Sequence, residues 1–375
     1  MDRVVKKFGG TSLRTEKRIN LAVDEVAEDL EAGNAVVSVV SAMGTDGDPY
    51  ATDTLIGLME EVSSEVDPLK KDLIMSCGEV ISASLFSHYL DSVGYDSIPM
   101  TGHQAGIFTD RGFGDARIVG VDPSRMENYL NQKRPVVLAG FQGRTIEGEI
   151  TTLGRGGSDT TALRVGGSVG AELVEIYTDV PGVAVVNPEL VENPPFFSSV
   201  PRDALLFMAK NGAAVIHPRA VAAAAEYDVP FSIKCSWVDG EETAVNSEPS
   251  SEDTPLGIAV LDGCSMVELS CSELESISES VPKSGTIRID KNDGTSFLLS
   301  KEAEFDPAGH DARHVSLVTA VPTLSTEASE ITDRIVGAVE SEIYLEKKVS
   351  SSGVQFVVEP GEVERVVRVI YDLFY

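Results

Sequence analysis

Positive charge is what this chain has least of. Its 375 residues carry 30 lysines and arginines against 60 aspartates and glutamates, a formal net charge of −30. A surface of that sign repels a phosphate backbone and an anionic bilayer alike, so no nucleic acid and no membrane is expected as a partner. Cysteine is scarce as well. The four present, Cys77, Cys235, Cys264 and Cys271, make no CxxC pair and no zinc-ligand spacing, which fits reduced thiols in a cytosol and gives no metal site. No stretch approaches the roughly 18 consecutive apolar residues that a membrane span needs. The chain enters a strand-like segment at once, with no leader pattern. A soluble, cytoplasmic protein is the expectation.

What is there is enough apolar material, 42% of residues and evenly spread, to build sizeable cores in two or three domains. The acidic excess is scattered, as in Asp24, Glu25, Glu28, Asp29 and Glu31 along one helical stretch, and reads as a solvated acidic surface of the kind a high-salt cytoplasm screens. Through the first two thirds, β-branched apolar runs alternate with segments of helical period. Residues 4–8 and 35–40 read as buried strands. Between them, 15–32 reads as a helix with Ile19, Val23, Val26 and Leu30 on one face and Gly33-Asn34 as its stop. A longer helix is expected at 73–90, with strands at 135–139, 173–178 and 229–234. Such alternation predicts an open, mostly parallel sheet sandwiched by helices. The acidic stretch EETAVNSEPSSEDT then reads as an exposed connector. The expected organisation is an α/β domain over 1–240, an acidic linker at 241–255, and two small α+β modules over 256–375, divided near 311/312.

Two glycine-rich stretches carry the chemistry. KFGGTS follows the first strand, and its Gly9-Gly10 pair lets backbone N–H groups approach a ligand, with Lys7, Thr11 and Ser12 beside it and a helix after it. These are the parts of a phosphate or oxyanion cradle, and equally those of a tight strand-to-helix turn. The order differs from the Walker loop, whose lysine follows the glycines. TTLGRGGSDTTA, residues 151–162, sets Arg155 among three glycines, with Ser158 and Asp159 opening a helix. An arginine there suits bidentate capture of a carboxylate, and Asp159 suits holding a lysine or helping to position Mg2+. As a plain hairpin end, the stretch would use Ser158 only as a helix cap. In SCGEV, Glu79 interrupts an apolar helix and calls for a cation such as a substrate ammonium. IYTDVPG ends a strand with Thr178 and Asp179, either at the carboxyl edge where α/β sheets bind ligands or as a simple Asx turn.

In this order, KFGGTS, VVSAM, SCGEV, QAGIFTD, GFQG, TTLGRGGSDTTA, YTDVPGV and GAAVIHPRA resemble the motifs of the aspartate kinases of the amino-acid kinase family, across residues 4–234. The ending VQFVVEPGEVERVVRVIYDLFY is similar, more weakly, to the paired ACT regulatory modules such kinases carry. The resemblance implies transfer of the γ-phosphate of ATP, bound as its Mg2+ complex and with no tightly held cofactor, to the β-carboxylate of L-aspartate. The product would be 4-phospho-L-aspartate, on the way to lysine, threonine and methionine. It implies that Lys7, Gly9, Gly10 and Ser12 meet the ATP phosphates, that Asp159 orients Lys7, and that Thr178 and Asp179 line the nucleotide side. It further implies that Arg155 grips the α-carboxylate of aspartate and Glu79 its ammonium, that Ser41 and a threonine hold the β-carboxylate, and that a homodimer or higher homo-oligomer forms through the ACT-like region. Lys6 points to the opposite face of its strand and takes no part.

The chain departs from the family pattern in places. The loop SAMGTDGDPYATDTLI is long, so Thr45 or Thr52 could fill the threonine role, and Thr52 has the family's helix entry after it. Ala184 replaces an aromatic residue, Glu189 a phosphate-facing arginine and Ala214 a lysine, while Trp237 stands where some members have a lysine. VTAVPTLS lacks the glycine-rich turn that receives an inhibitory amino acid in many members. These departures leave two alternatives to aspartate phosphorylation: a kinase of another small amino acid, and a catalytically weak regulatory subunit.

Overall fold

The computed structural model describes residues 2–238, 242–246, 256–270, 273, 286–290, 295–301, 311–323 and 328–375. Two compact units divide the chain: Met1–Val183 with Val215–Ser247, and Ala184–Ala214 with Glu248–Tyr375.

The first unit opens with β1 (Arg3–Phe8), a 3-10 turn at Gly10–Leu13, α1 (Glu16–Glu31) and β2 (Ala35–Val40). There follow α2 (Thr52–Glu60), α3 (Pro68–Ser92), β3 (Ile98–Met100), β4 (Ile107–Thr109), β5 (Ile118–Val121), α4 (Ser124–Asn131), β6 (Val136–Ala139), β7 (Gln142–Arg144), β8 (Ile150–Thr152), α5 (Gly157–Val169) and β9 (Leu173–Tyr177). After β10 (Ser199–Pro201) and α6 (Arg202–Lys210), which lie in the second unit, the chain returns with α7 (Pro218–Tyr227), β11 (Phe231–Lys234) and β12 (Glu242–Asn246).

Local chemistry starts these helices. Thr15 caps α1 by accepting the Arg18 N–H, and Asp67 caps α3 by accepting the N–H groups of Leu69 and Lys70, with Pro68 preset for the first helical position. The main sheet of this unit runs β12-β11-β9-β1-β2-β6-β3, parallel except where β12 meets β11. A smaller sheet, β5-β4-β7-β8, is built from segments between β3 and α5. Phe8, Leu13, Val23, Val26, Val40, Phe86 and Leu90 pack into one core cluster with Tyr177, whose ring stacks on Phe8 at 4.7 Å. β1 has β2 on one side and β9 on the other, so the strand order reverses there, and Gly9 and Gly10 sit at its carboxyl end, the edge at which sheets of this kind bind ligands.

Helix α3 is long and apolar enough to cross a membrane by length and composition. It is instead a core helix. Asp72 and Glu79 are buried within it, and Asp72 accepts the Thr152 N–H at 2.7 Å, the Thr152 hydroxyl at 2.8 Å and the Gly114 N–H at 3.0 Å, binding the helix to β8. Burial dominates those donors and holds the Asp72 carboxyl above its ordinary pKa.

The second unit holds β10 and α6, then β13 (Leu256–Ser270), β14 (Ile287–Asp290), β15 (Thr295–Lys301), β16 (Ala312–Pro322), α8 (Ala328–Ala338), β17 (Glu346–Ser350), β18 (Gly353–Val358) and α9 (Val363–Tyr371). Strands β13 to β18 form one antiparallel sheet, β14-β15-β13-β16-β18-β17.

Three expectations about organisation meet a different arrangement. The stretch read as connector contains β12, whose Thr243 and Val245 are buried and whose Thr243 hydroxyl accepts the Val183 N–H at 2.9 Å. The rest of that stretch, 241 and 247–255, lies outside the described residues. Residues 184–214 group with the second unit rather than with the α/β domain. Finally, β13 pairs with both β15 and β16, so one sheet crosses the division placed near 311/312. Each difference arises from pairing between distant segments, which composition cannot report.

Candidate active site

Alternation along β1 sends its two lysines to opposite faces. Lys6 goes to the face covered by α1. Its Nζ pairs with Glu175 and, at 2.8 Å, with Asp29, while Lys234 pairs with the other oxygen of Glu175. Burial alone would lower the Lys6 pKa, but Glu175 and Asp29 override it and the pKa is raised. For Glu175, burial opposes ionisation, and Lys6 and Lys234 override it and lower the pKa. The cluster ties together neighbouring strands β1, β9 and β11. Lys7 goes to the other side and reaches Asp159 of α5, 152 residues away, at 2.7 Å.

Around Lys7 the loops at the carboxyl edge are stitched to one another. The Gly9 N–H donates to the Tyr177 carbonyl at 3.3 Å, the Ser41 N–H to the Phe8 carbonyl at 3.0 Å, and the Gly44 N–H to the Gly10 carbonyl at 3.0 Å. A Cβ on Gly10 would lie 2.6 Å from the Ala42 carbonyl oxygen, so only glycine lets these two loops close. Ser12 is fully buried and its hydroxyl has no partner. Glu79 reaches the same loops from α3: Oε1 accepts the Ala42 N–H at 3.0 Å, and Oε2 is buried without a partner. Burial pushes its carboxyl up to about 8, with the Ala42 N–H opposing.

Arg155 is exposed at the start of α5 and makes no ion pair among the described residues. Its neighbour Gly156 has φ of 68°, and a Cβ there would come within 2.2 Å of the His217 Cβ. Thr178 and Asp179 follow β9; the Thr178 N–H donates to the Lys234 carbonyl at 2.9 Å and its hydroxyl to Asp179 at 3.1 Å. Thr45 is committed elsewhere, since its N–H and hydroxyl both donate to Asp48, at 2.9 and 3.3 Å, and Arg14 holds the same oxygen at 2.9 Å. Thr52 opens α2 with a half-buried side chain.

Residues 2–235 match the family model described as "Amino acid kinase family". The chain belongs to the amino acid kinase family. Within it, the aspartokinase of Geobacillus stearothermophilus is 35% identical over 378 residues, covering 99% of this chain and 89% of that protein. Aspartokinase 1 of Bacillus subtilis strain 168 is 42% identical over 252 residues, 67% of this chain, and the match spans 62% of that longer protein. Among solved structures, E. coli aspartokinase III in complex with aspartate and ADP has the same fold, with a TM-score of 0.79, 20% identity and 99% of both chains covered. The aspartate kinase of Clostridium acetobutylicum gives 0.77 at 21% identity, over 99% of this chain and all of that one.

This amino acid kinase chain also carries site neighbours that sequence reasoning passed over. Arg219 makes a double ion pair with Asp115, at 2.5 and 2.6 Å, pinning α7 to the loop before β5. Next to it, His217 accepts the Arg219 N–H at 3.3 Å through Nδ1, and burial, then Arg219, lowers its pKa. Phe141, at the end of β6, holds φ of 66°, a conformation costly for a bulky residue, and packs where a Cβ of Gly157 would be. HPR after GAAVI was a visible signal for the first pair; nothing local marks Phe141. The departures noted above resolve differently. Glu189 is exposed in an Asx turn, its N–H donating to Asn187 at 3.0 Å, and Ala184 bridges Phe196; with Ala214, both belong to the second unit. Trp237 carries the Arg18 guanidinium at 3.9 Å.

Proposed function

We propose that the chain transfers the γ-phosphoryl group of MgATP to the β-carboxylate of L-aspartate. A carboxylate oxygen forms the new P–O bond, the bond from Pγ to the ADP oxygen breaks, and 4-phospho-L-aspartate and ADP leave. The observation that carries this reading is Lys7, held at 2.7 Å from Asp159 at the end of the strand where the sheet order reverses. A carboxylate nucleophile needs no general base, so catalysis reduces to in-line positioning and neutralisation of two anions. In this reading Lys7, with the backbone at Gly9 and Gly10 and the Ser12 hydroxyl, meets the polyphosphate, Asp159 orients Lys7, and Thr178 and Asp179 face the nucleotide. Arg155, without an ion-pair partner among the described residues, takes the α-carboxylate, and Ser41 and Thr52 take the β-carboxylate. The unpartnered Oε2 of Glu79 takes the ammonium, which supports a free amino acid as acceptor.

The finer reading follows from the same kinship. The second unit acts as an ACT-type regulatory region and the seat of a homodimer or larger assembly, supported by its antiparallel sheet with α8 and α9. The enzyme works in the cytoplasm, at the first step toward lysine, threonine and methionine, behind an acidic surface suited to high salt. A hydroxylamine-trapping assay with aspartate and MgATP, at low and at molar salt, tests the reaction. Acyl hydroxamate should form with aspartate and not with N-acetylaspartate or glutamate; folded protein giving no hydroxamate at either salt would refute it.

A further inference from the structure

One cation beside the glycine loop pairs with no acid among the described residues, in a chain with two acids for every base. Arg18, in the first turn of α1, is half-buried, and its guanidinium carbon lies 3.9 Å from the centre of the Trp237 ring. Its Nη1 donates to the Thr11 carbonyl at 2.8 Å. No carboxylate pairs with it among the described residues. Arginine carries five N–H donors in a planar fork, and here one carbonyl and one ring face fix that fork while leaving most of its donors uncommitted.

Arg18 is held at the same edge as the phosphate cradle. Thr11 belongs to the 3-10 turn that begins at Gly10, and the next residue is Ser12, buried and without a hydrogen-bond partner for its hydroxyl. Trp237 follows β11, whose last carbonyl, that of Lys234, accepts the Thr178 N–H at 2.9 Å. Between these loops, the Cys235 thiol is raised by burial, with Arg18 pulling it down and Asp179 pushing it up, so both charges act on one point. A stacked guanidinium is less hydrated than an ammonium and suits a phosphate group, which accepts two of its N–H bonds at once.

We infer that Arg18 is a further binding residue for the nucleotide, a contact to its polyphosphate that Trp237 and Thr11 hold ready at the glycine loop. The inference rests on the kinase reading above and adds a second cation to Lys7 in the first unit. Trp237 is then a positioning residue, acting only through Arg18.

Calorimetric titration of the full chain with MgATP, MgADP and adenosine, alongside the aspartate KM, tests this. Arg18→Gln should weaken MgATP and MgADP about tenfold or more, the loss of a charge-assisted hydrogen bond, and leave adenosine binding and the aspartate KM within about twofold. Arg18→Lys should recover part of the loss, and Trp237→Leu should weaken both nucleotides by several fold with the arginine still present. The rise in Tm on adding MgADP reports the same differences if a variant is less stable. Native protein that binds MgATP together with an Arg18→Gln variant that binds it equally well would overturn the Arg18 assignment alone. So would parallel loss of adenosine, nucleotide and aspartate binding, which marks a structural role. Native protein that takes up no MgATP would overturn the kinase reading, and this inference with it.

Discussion

Aspartate should drive a proton out of the protein as it binds. Glu79 is 3% exposed and burial pushes its carboxyl up to about 8, from an ordinary 4.5. A group with that pKa is protonated in about 0.9 of molecules at pH 7, about half at pH 8 and about 0.1 at pH 9. An ammonium placed against its free Oε2 favours the carboxylate, so binding should release that fraction of a proton. Titration calorimetry in buffers of different ionisation enthalpy reads the number directly, as the slope of observed heat against buffer enthalpy. Glu79→Gln should abolish the slope and weaken aspartate by about a hundredfold, the loss of a buried ion pair. The apo protein carries the same shift with a definite sign. Because the folded pKa is raised, the neutral carboxyl is favoured, and stability present below pH 4.5 is lost as pH rises through about 8. The whole span is worth about 5 kcal/mol. Urea unfolding should therefore show Glu79→Gln gaining on the native protein steadily across that window. A zero slope at pH 7, or equal slopes at pH 7 and 9, would refute the assignment of Glu79 to the ammonium.

Further consequences follow from other contacts. Asp159→Asn removes the charge that orients Lys7 at 2.7 Å, and kcat should fall about 10²- to 10³-fold with little change in aspartate KM, as steady-state kinetics will show. Glu175→Gln leaves the buried Lys6 and the half-buried Lys234 without their shared acid and should destabilise the first unit by about 3–5 kcal/mol in urea unfolding. Because the folded pKa of Glu175 is lowered, that contribution is present above pH 4.5 and should fade in the native protein as pH falls below it. Gly156→Ala places a Cβ within 2.2 Å of the His217 Cβ in a left-handed conformation; it should cost about 1–2 kcal/mol in strain and raise the aspartate KM by displacing Arg155. Asp72→Ala strands three donors and should lower stability by about 2–4 kcal/mol, read as a fall in Tm.

Much of the fold was legible because its signals are local. β2 lies at the residues its apolar run marked, α1 begins at its Thr15 cap, and the glycine loops sit at strand ends where glycine is required. The membership proposed for the site rests on a different signal: Lys7, Glu79, Arg155 and Asp159 stand in short motifs whose order resembles a family. What escaped were pairings. β17 reads EKKVS, an exposed-edge pattern without an apolar face, and β12 hides in an acidic stretch because β11 supplies its partner. Phe141 has an ordinary side chain and an unusual φ, which no periodicity encodes.

By itself, then, the sequence determined where elements with a strong local signal lie, such as β2 and α1, which chemical groups are available, and that Lys6 and Lys7 must part to opposite faces. Tertiary structure alone decided what each group meets. Lys7 finds Asp159, Asp72 finds Thr152, Arg18 finds Trp237, and Glu79 finds no cation among the described residues. The reason is one of range: helix and strand formation depend on neighbours a few residues apart, whereas the energy of a buried charge depends on whatever the folded chain brings beside it.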